Sequence, residues 1–149
     1  MTILIGSDHG GFELKEFLKA KLTQQQIQIH DLGPNDQDSV DYPDYAAKVS
    51  EQISTGQADA GILVCGTGIG MCITANKFKN IRAAVLSDEY TAQMAKAHNN
   101  ANVICLGGRT TDPDLAWKLL SIWLETNYEG GRHQRRLEKI KEIESRWQR

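Results

Sequence analysis

The segment Gly61-Ile62-Leu63-Val64-Cys65-Gly66-Thr67-Gly68-Ile69-Gly70 decides how this chain folds. Its first half is a short apolar run with β-branched residues, which is typical of a buried strand. A glycine-rich turn follows the run, and residues 71–78 then have the composition of a helix. A strand, a glycine loop and a helix in this order leave backbone N–H groups free at the turn, and such groups bind an anion or a developing oxyanion.

Strand-like and helix-like segments alternate on both sides of this segment. Periodicity and turn residues predict further strands at residues 3–6, 27–32, 81–86 and 103–106. They predict helices at residues 13–25, 42–53, 87–98, 113–129 and 132–149. Such alternation indicates right-handed crossovers and a parallel sheet that is covered on both faces. We therefore predict one domain over residues 1–149, an α/β fold of the three-layer α/β/α Rossmann-like type with a five-stranded parallel sheet.

Two of these helices carry further predictions. In the helix after Asp112-Pro113, the side chains expected to face the sheet are Leu115, Leu119, Ile122 and Trp123. Gly130-Gly131 is expected to end that helix. The last helix has a narrow apolar seam at Leu137, Ile140, Ile143 and Trp147. This seam either packs at a dimer interface or closes the chain's own sheet, and both alternatives stay open.

Composition and charge exclude several classes of function. The chain has 149 residues and a formal net charge of −2, so no basic field attracts nucleic acid. Its apolar runs are far shorter than the roughly 20 residues that span a bilayer, and we expect no membrane segment. Three cysteines without a C-x-x-C pair indicate a reducing, cytoplasmic compartment. The four histidines lack zinc-type spacing, so we expect no metal and no other cofactor.

The glycine loop permits two interpretations. In a dinucleotide-binding G-x-G-x-x-G motif, Met71 stands where the third glycine belongs, although Asp88 lies at about the expected distance of 20 residues. The alternative is a catalytic thiol, because Cys65 ends its strand beside N–H donors that favour a thiolate. Free cysteines are also common as small buried hydrophobes, and this is what we expect of Cys72 and Cys105.

Other polar residues follow the ends of predicted strands and helices. Asp8 comes after the first strand, at the same sheet edge as Cys65, and is also a suitable helix N-cap. His98 ends a helix, where it either complements the helix dipole or acts as a general acid. Arg132 and Arg136 are four residues apart with no acidic residue between them. Their spacing favours binding of a phosphate monoester over a merely solvated face.

Several motifs occur together along the chain: Gly6-Ser7-Asp8-His9-Gly10-Gly11, Asp41-Tyr42-Pro43, Gly61 through Gly70, Ala75-Asn76-Lys77, Tyr90-Thr91-Ala92, His98-Asn99, Gly107-Gly108-Arg109 and Gly130-Gly131-Arg132-His133-x-x-Arg136. Together they resemble the type B ribose-5-phosphate isomerases of the ribose/galactose isomerase family, over essentially the whole length. The resemblance implies a metal-free aldose–ketose isomerase that interconverts ribose 5-phosphate and ribulose 5-phosphate. It also implies a homodimer whose active sites combine residues of both subunits, and a tetramer stays open.

The resemblance further implies roles for individual residues. Cys65 corresponds to the base, and Thr67 with the loop Gly66, Gly68, Ile69 and Gly70 holds the enediolate. His98 corresponds to the acid that opens the furanose, assisted by Asp8. The other residues that match sugar or phosphate contacts are His9, Tyr42, Asn99, Arg109, Arg132 and Arg136. Two alternatives stay open: an isomerase of a six-carbon sugar phosphate such as allose or galactose 6-phosphate, and a sugar-phosphate binding module without turnover.

Overall fold

The computed structural model describes residues 1–147, and in them each predicted strand and helix is present. The strands are β1 (Ile3–Ser7), β2 (Ile29–Asp31), β3 (Ala60–Cys65), β4 (Ala83–Val85) and β5 (Val103–Gly107). The helices are α1 (Phe12–Gln24), α2 (Tyr42–Ser54), α3 (Ile69–Ala75), α4 (Glu89–Ala97), α5 (Pro113–Glu125) and α6 (Arg132–Trp147). Of these elements, β2, β4 and α5 are shorter than predicted. None of the helices in residues 1–147 has both the length and the apolar character needed to cross a membrane.

The strands of this described part form one parallel sheet in the order β2-β1-β3-β5-β4. Every residue of the central strand β3 is buried, as its continuous apolar run predicts. The chain passes from β1 outward to β2 and then crosses back to β3 on the other side of β1. The carboxyl ends of β1 and β3 therefore flank a switch point, which is where open α/β sheets bind ligands.

Helices cover both faces of the sheet. Successive strand residues point to opposite faces, so neighbouring residues of one strand lie in different cores. Ile62 lies in a core shared with α1, α4 and α5. Its neighbour Leu63 lies in the opposite core, which is shared with α2 and α3. This arrangement confirms the predicted three-layer α/β/α fold.

Two predictions about α5 are wrong. Leu115 is 38% exposed, because the buried stripe runs along Ala116, Leu119, Leu120 and Trp123 and leaves it one position outside. The helix also ends at Glu125, well before Gly130-Gly131, since Thr126 already has an extended backbone. Ile122 is only half-buried.

The C-terminal helix α6 leaves most of its apolar seam uncovered, which favours the dimer interface of the two alternatives. Its apolar seam is exposed at Ile140 (49%), Ile143 (51%) and Trp147 (81%). The helix contacts the rest of the chain at its first turn through the buried His133, and near its end through Glu144, whose carboxylate accepts hydrogen bonds of 3.0 and 3.1 Å from the Asn80 N–H. The last two positions of the predicted helix, 148–149, lie outside the described residues.

Candidate active site

A surface pocket of about 410 Å³ opens at the switch point between β1 and β3. The residues that line it come from the ends of both strands, from the glycine loop and from the first turns of α2 and α3: Asp8, Tyr42, Cys65, Gly66, Thr67, Ile69, Gly70 and Ile73. All of them except Ile73 are predicted site residues. The structure therefore brings seven of the predicted site residues together in one pocket.

Cys65 lies in this pocket with its sulfur hydrogen-bonded to the glycine loop. The Gly68 N–H donates to Cys65 Sγ at 3.1 Å. Gly68 has φ +80°, a left-handed conformation that glycine adopts without strain, and the turn it makes brings the N–H to the sulfur. Cys65 is 4% exposed, so a ligand reaches the thiol through the pocket. An N–H that donates to sulfur stabilises negative charge there.

The residues after β1 lie on the other side of the pocket. Asp8 caps the short 3-10 helix His9–Gly11 that leads into α1, because its Oδ1 accepts a 3.0 Å hydrogen bond from the Gly11 N–H. It also lines the pocket and is 8% exposed. His9 is exposed, with Nδ1 3.2 Å from the backbone N and O of Val40. Asp8 therefore both caps this turn and faces the pocket.

Arg109 and Tyr42 complete this group of residues. The Arg109 side chain lies over Gly10 and Gly66, since a Cβ on either glycine would come within 3.5 Å of it. The Tyr42 ring packs on Gly70 so closely that a Cβ there would be 2.6 Å from the ring. Glycines at these positions thus let a guanidinium and an aromatic ring approach the backbone at the pocket.

The remaining predicted residues form a second group around the end of α4 and the start of α6. His98 is the C-cap of α4, and its side chain is one-third exposed. Asn99 follows it and, through its backbone carbonyl, accepts a hydrogen bond from Arg82 Nε at 3.1 Å. Arg132 and Arg136 are exposed on the first turns of α6, one turn apart as their spacing predicts.

The two groups lie at opposite ends of the parallel strands, the first at the carboxyl edge of the sheet and the second at its amino edge. Cys65 ends β3 level with Gly107, at the carboxyl end of β5. His98 ends the helix that leads back to the amino end of β5, where the Asn102 carbonyl accepts from the Gly61 N–H. The strand from Gly61 to Cys65 alone spans about 13 Å at the usual rise per residue. One chain therefore does not bring the predicted base and the predicted acid together.

His98 belongs to a compact cluster with His133 and Glu129. The two imidazole rings are stacked, with centroids 4.0 Å apart and planes 14° from parallel. Glu129 Oε2 lies 3.7 Å from His98 Nε2 and 3.4 Å from His133 Nε2. Burial, the charge of a protonated His98 and the Arg132 guanidinium lower the pKa of His133, and Glu129 opposes them only in part.

The ligand atoms of this cluster lie within 4.8 Å of one another, so its fit to a metal ion can be tested. A metal binds an imidazole nitrogen along the lone pair, in the plane of the ring. Two stacked, nearly parallel rings direct their lone pairs side by side and not at a common point. This arrangement suits a carboxylate between two N–H groups better than it suits a shared ion.

The profile of the Ribose/Galactose Isomerase family matches residues 3–140. The chain belongs to this family. It is 44% identical over 144 residues to ribose-5-phosphate isomerase B of Escherichia coli, covering 97% of each chain. The structure of Clostridium thermocellum ribose-5-phosphate isomerase B matches with a TM-score of 0.97 at 45% identity, covering 99% of each chain. A Mycoplasma genitalium ribose-5-phosphate isomerase B with bound ribulose-5-phosphate matches with a TM-score of 0.94 at 44% identity, covering 97% of this chain and 96% of that chain.

The other two cysteines of this ribose/galactose isomerase chain differ from each other. Cys105 is fully buried, as predicted. Cys72 is only half-buried, and its thiol donates to the Ala83 carbonyl at 3.4 Å. A hydrogen bond from Cys105 outweighs burial and lowers the pKa of Cys72 to about 7. The prediction that Cys72 is a small buried hydrophobe is therefore wrong.

Glu129 is absent from the residues predicted from the sequence, and no motif quoted for the ribose/galactose isomerase family contains it. Glu129 and His133 have a helical spacing of four residues, but Gly130-Gly131 between them predict only the end of a helix. In the structure both glycines have positive φ, +65° and +54°. They turn the chain so that α6 begins directly after them and His133 lies beside Glu129.

Proposed function

We propose that this chain is an aldose–ketose isomerase that interconverts D-ribose 5-phosphate and D-ribulose 5-phosphate. The observation that carries the proposal is the Cys65 sulfur, hydrogen-bonded to the Gly68 N–H in a pocket lined by the glycine loop. The relatives named above support the substrate, because one is a ribose-5-phosphate isomerase B and another holds ribulose-5-phosphate.

The first step opens the sugar ring, because ribose 5-phosphate is mainly a furanose. A protonated His98 gives its proton to the ring oxygen as the C1–O4 bond breaks. Asp8 takes the proton of the C1 hydroxyl, whose O–H electrons form the aldehyde. Both groups are of the type that general acid–base catalysis uses, and Asp8 already lines the Cys65 pocket.

The second step moves a proton between two carbons. The Cys65 thiolate removes the C2 proton of the open sugar, and the resulting enediolate carries its negative charge on oxygen. Loop N–H groups and the Thr67 hydroxyl stabilise that charge, and a single donor of this kind typically contributes about 10²–10³ in rate. The Cys65 thiol then returns its proton to C1, while the O2 proton passes to O1.

The base must be a free thiol, and the described cysteines are all free. This supports a reducing, cytoplasmic compartment for the enzyme. The phosphate of the substrate is bound by arginines: Arg109, Arg132 and Arg136 each present a guanidinium that matches phosphate oxygens. Since Arg109 lies at the Cys65 pocket and the other two lie near His98, the phosphate requires both groups of residues.

A homodimer brings these two groups together. General acid and base must both reach atoms of one small sugar, yet in one chain they lie at opposite sheet edges. The surface around the Cys65 pocket is apolar and exposed at Ile69 (56%) and Ile73 (59%), as the α6 seam is at Ile140. A second copy that covers these surfaces would add His98, Asn99, Arg132 and Arg136 to the Cys65 pocket. Symmetry then gives two equal active sites.

Incubation of ribose 5-phosphate with the protein in D2O tests the proposal. The thiol proton of Cys65 exchanges with solvent while the enediolate is bound, so transfer through the enediolate places solvent deuterium at C1 of the ribulose 5-phosphate formed, and NMR detects it there. Allose 6-phosphate and galactose 6-phosphate are assayed in parallel. Absence of both turnover and exchange with ribose 5-phosphate would leave a binding protein, and faster turnover of a six-carbon substrate would reassign the specificity.

A further inference from the structure

Glu129 is tied to the backbone beside His98. Its N–H donates a 3.0 Å hydrogen bond to the carbonyl of Ala97, the residue before His98. The turn at Gly130-Gly131 then starts α6, whose His133 N–H bonds to the Gly130 carbonyl at 3.0 Å. Glu129 and His133 are thus placed by the same short loop, and both side chains face the His98 ring.

One carboxylate lies beside two imidazoles in this cluster, and the two rings differ in burial. His133 is 5% exposed, and its lowered pKa keeps it neutral near pH 7. His98 is one-third exposed, so solvent reaches its ring. The other charged groups that act on His133 are Arg132 and Arg136, which disfavour a proton on that ring. Within the described cluster, Glu129 is the group that offsets them.

We propose that Glu129 is a positioning residue for His98, holding its imidazole in the orientation that ring opening needs while the His133 ring stacks against it. The inference rests on the proposed function, in which His98 is the acid of the ring-opening step. Glu129 itself need not touch the sugar. Its carboxylate acts through His98, as outer carboxylates commonly orient a functional histidine.

Assays with ribose 5-phosphate and with ribulose 5-phosphate distinguish a role of Glu129 in ring opening from a general role in the site. Ribulose 5-phosphate is acyclic, because its O5 is phosphorylated and no five-membered ring can close on the C2 ketone. Exchange of its C1 hydrogen with solvent therefore needs Cys65 and the glycine loop but no ring opening. Turnover of ribose 5-phosphate needs both. A residue that serves only His98 should affect turnover of ribose 5-phosphate and leave the exchange unchanged.

The test compares Glu129→Gln with the wild type and with Glu125→Gln, which removes an exposed carboxylate at the end of α5. We expect kcat with ribose 5-phosphate to fall about 10- to 100-fold in Glu129→Gln, while deuterium exchange into ribulose 5-phosphate stays within about twofold. Glu125→Gln should match the wild type in both assays. Glu129 is 56% exposed, so its variant is expected to fold, and thermal unfolding checks this.

Two outcomes would overturn the inference. Unchanged turnover of ribose 5-phosphate in Glu129→Gln would show that His98 does not depend on Glu129. An equal loss in turnover and exchange would show general damage to the site. The wild type distinguishes these failures from failure of the proposed function, because a wild type without turnover and exchange would refute the isomerase itself.

Discussion

The Cys65 sulfur and the Gly68 N–H are 3.1 Å apart, so the last residue of β3 is hydrogen-bonded to the loop that follows it. The contact joins the candidate base to the candidate oxyanion-binding loop. Both are therefore placed by the same turn, and a substrate carbon held against the sulfur has its oxygen near the loop N–H groups. Such preorganised donors act where charge develops and need no rearrangement during the reaction.

Cys65→Ala should abolish isomerisation while the fold and phosphate binding persist. The substitution removes the base, and general base catalysis contributes about 10²–10⁴ in rate. Alanine fits a position that is already buried, so the strand should form normally. Turnover, deuterium exchange into ribulose 5-phosphate and calorimetric binding of ribose 5-phosphate measure the three expectations. Near-normal turnover would remove Cys65 from the role of base.

Cys72→Ser is the matched control for this experiment. Because the pKa of Cys72 is about 7, an alkylating reagent modifies it at neutral pH, and loss of activity after alkylation alone does not identify the base. Cys72 lies on α3 outside the lining of the Cys65 pocket. The variant should keep wild-type turnover.

Two inactive variants should restore activity when mixed, if Cys65 and His98 act from different subunits. A heterodimer of Cys65→Ala and His98→Asn chains has one site with both residues altered and one intact site. Random exchange of equal amounts should recover about a quarter of the wild-type activity. Unfolding and refolding the variants together, followed by assay, measures the recovery. No recovery would indicate that both residues act within one chain.

The Cys65 half of the site could be predicted from sequence because it is local. The strand, the glycine loop and the helix after it lie within residues 60–75, and Asp8 occupies the same edge because β1 is parallel to β3. The position of His98 could also be predicted, because a helix that connects two parallel strands ends near the amino end of the second strand. A pattern within one chain does not indicate which surfaces of two copies would pair in the proposed dimer.

The misplaced details have local physical causes. Leu115 fits the helical periodicity of α5. The residues of α5 that are buried, however, form a stripe that begins one position later, at Ala116. Gly130-Gly131 signals a break in any sequence, whereas the direction of the turn depends on both residues adopting positive φ. That choice places Glu129 beside His98 and could not be deduced from residue types alone.

Arg136→Ala should mainly raise KM for ribose 5-phosphate. The phosphate does not react, so its contacts hold substrate and transition state almost equally. Loss of one charge-assisted guanidinium–phosphate contact should raise KM about 10- to 100-fold with little change in kcat. Arg135→Ala is the matched control, because adjacent helical positions face different directions. A large fall in kcat at unchanged KM would contradict the assignment.

Asp31→Asn should destabilise the fold without touching the site. The Lys15 ammonium is fully buried, and it donates to both Asp31 oxygens at 2.9 and 2.8 Å and to the Pro34 carbonyl at 2.8 Å. Removing the charge of Asp31 leaves the buried ammonium with the more exposed Glu16 carboxylate, at 3.0 Å, as its charged partner, and this loss should cost about 3 kcal/mol. Denaturant unfolding measures the loss, with the exposed Asp38→Asn as the control. A loss no larger than that of Asp38→Asn would show that the pair contributes little.

The same network predicts how stability depends on pH. Burial alone would raise the pKa of Asp31, but hydrogen bonds from Lys15 and Lys19 outweigh it and hold that pKa below its ordinary value of 3.8. A carboxyl with a lowered pKa in the folded state adds stability that is complete above its ordinary pKa and is lost as pH falls through the lowered one. The melting temperature of the wild type should therefore drop steeply below about pH 4, and Asp31→Asn should show a shallower drop over the same range. Parallel melting curves of the two proteins at decreasing pH would contradict a role for Asp31 in acid unfolding.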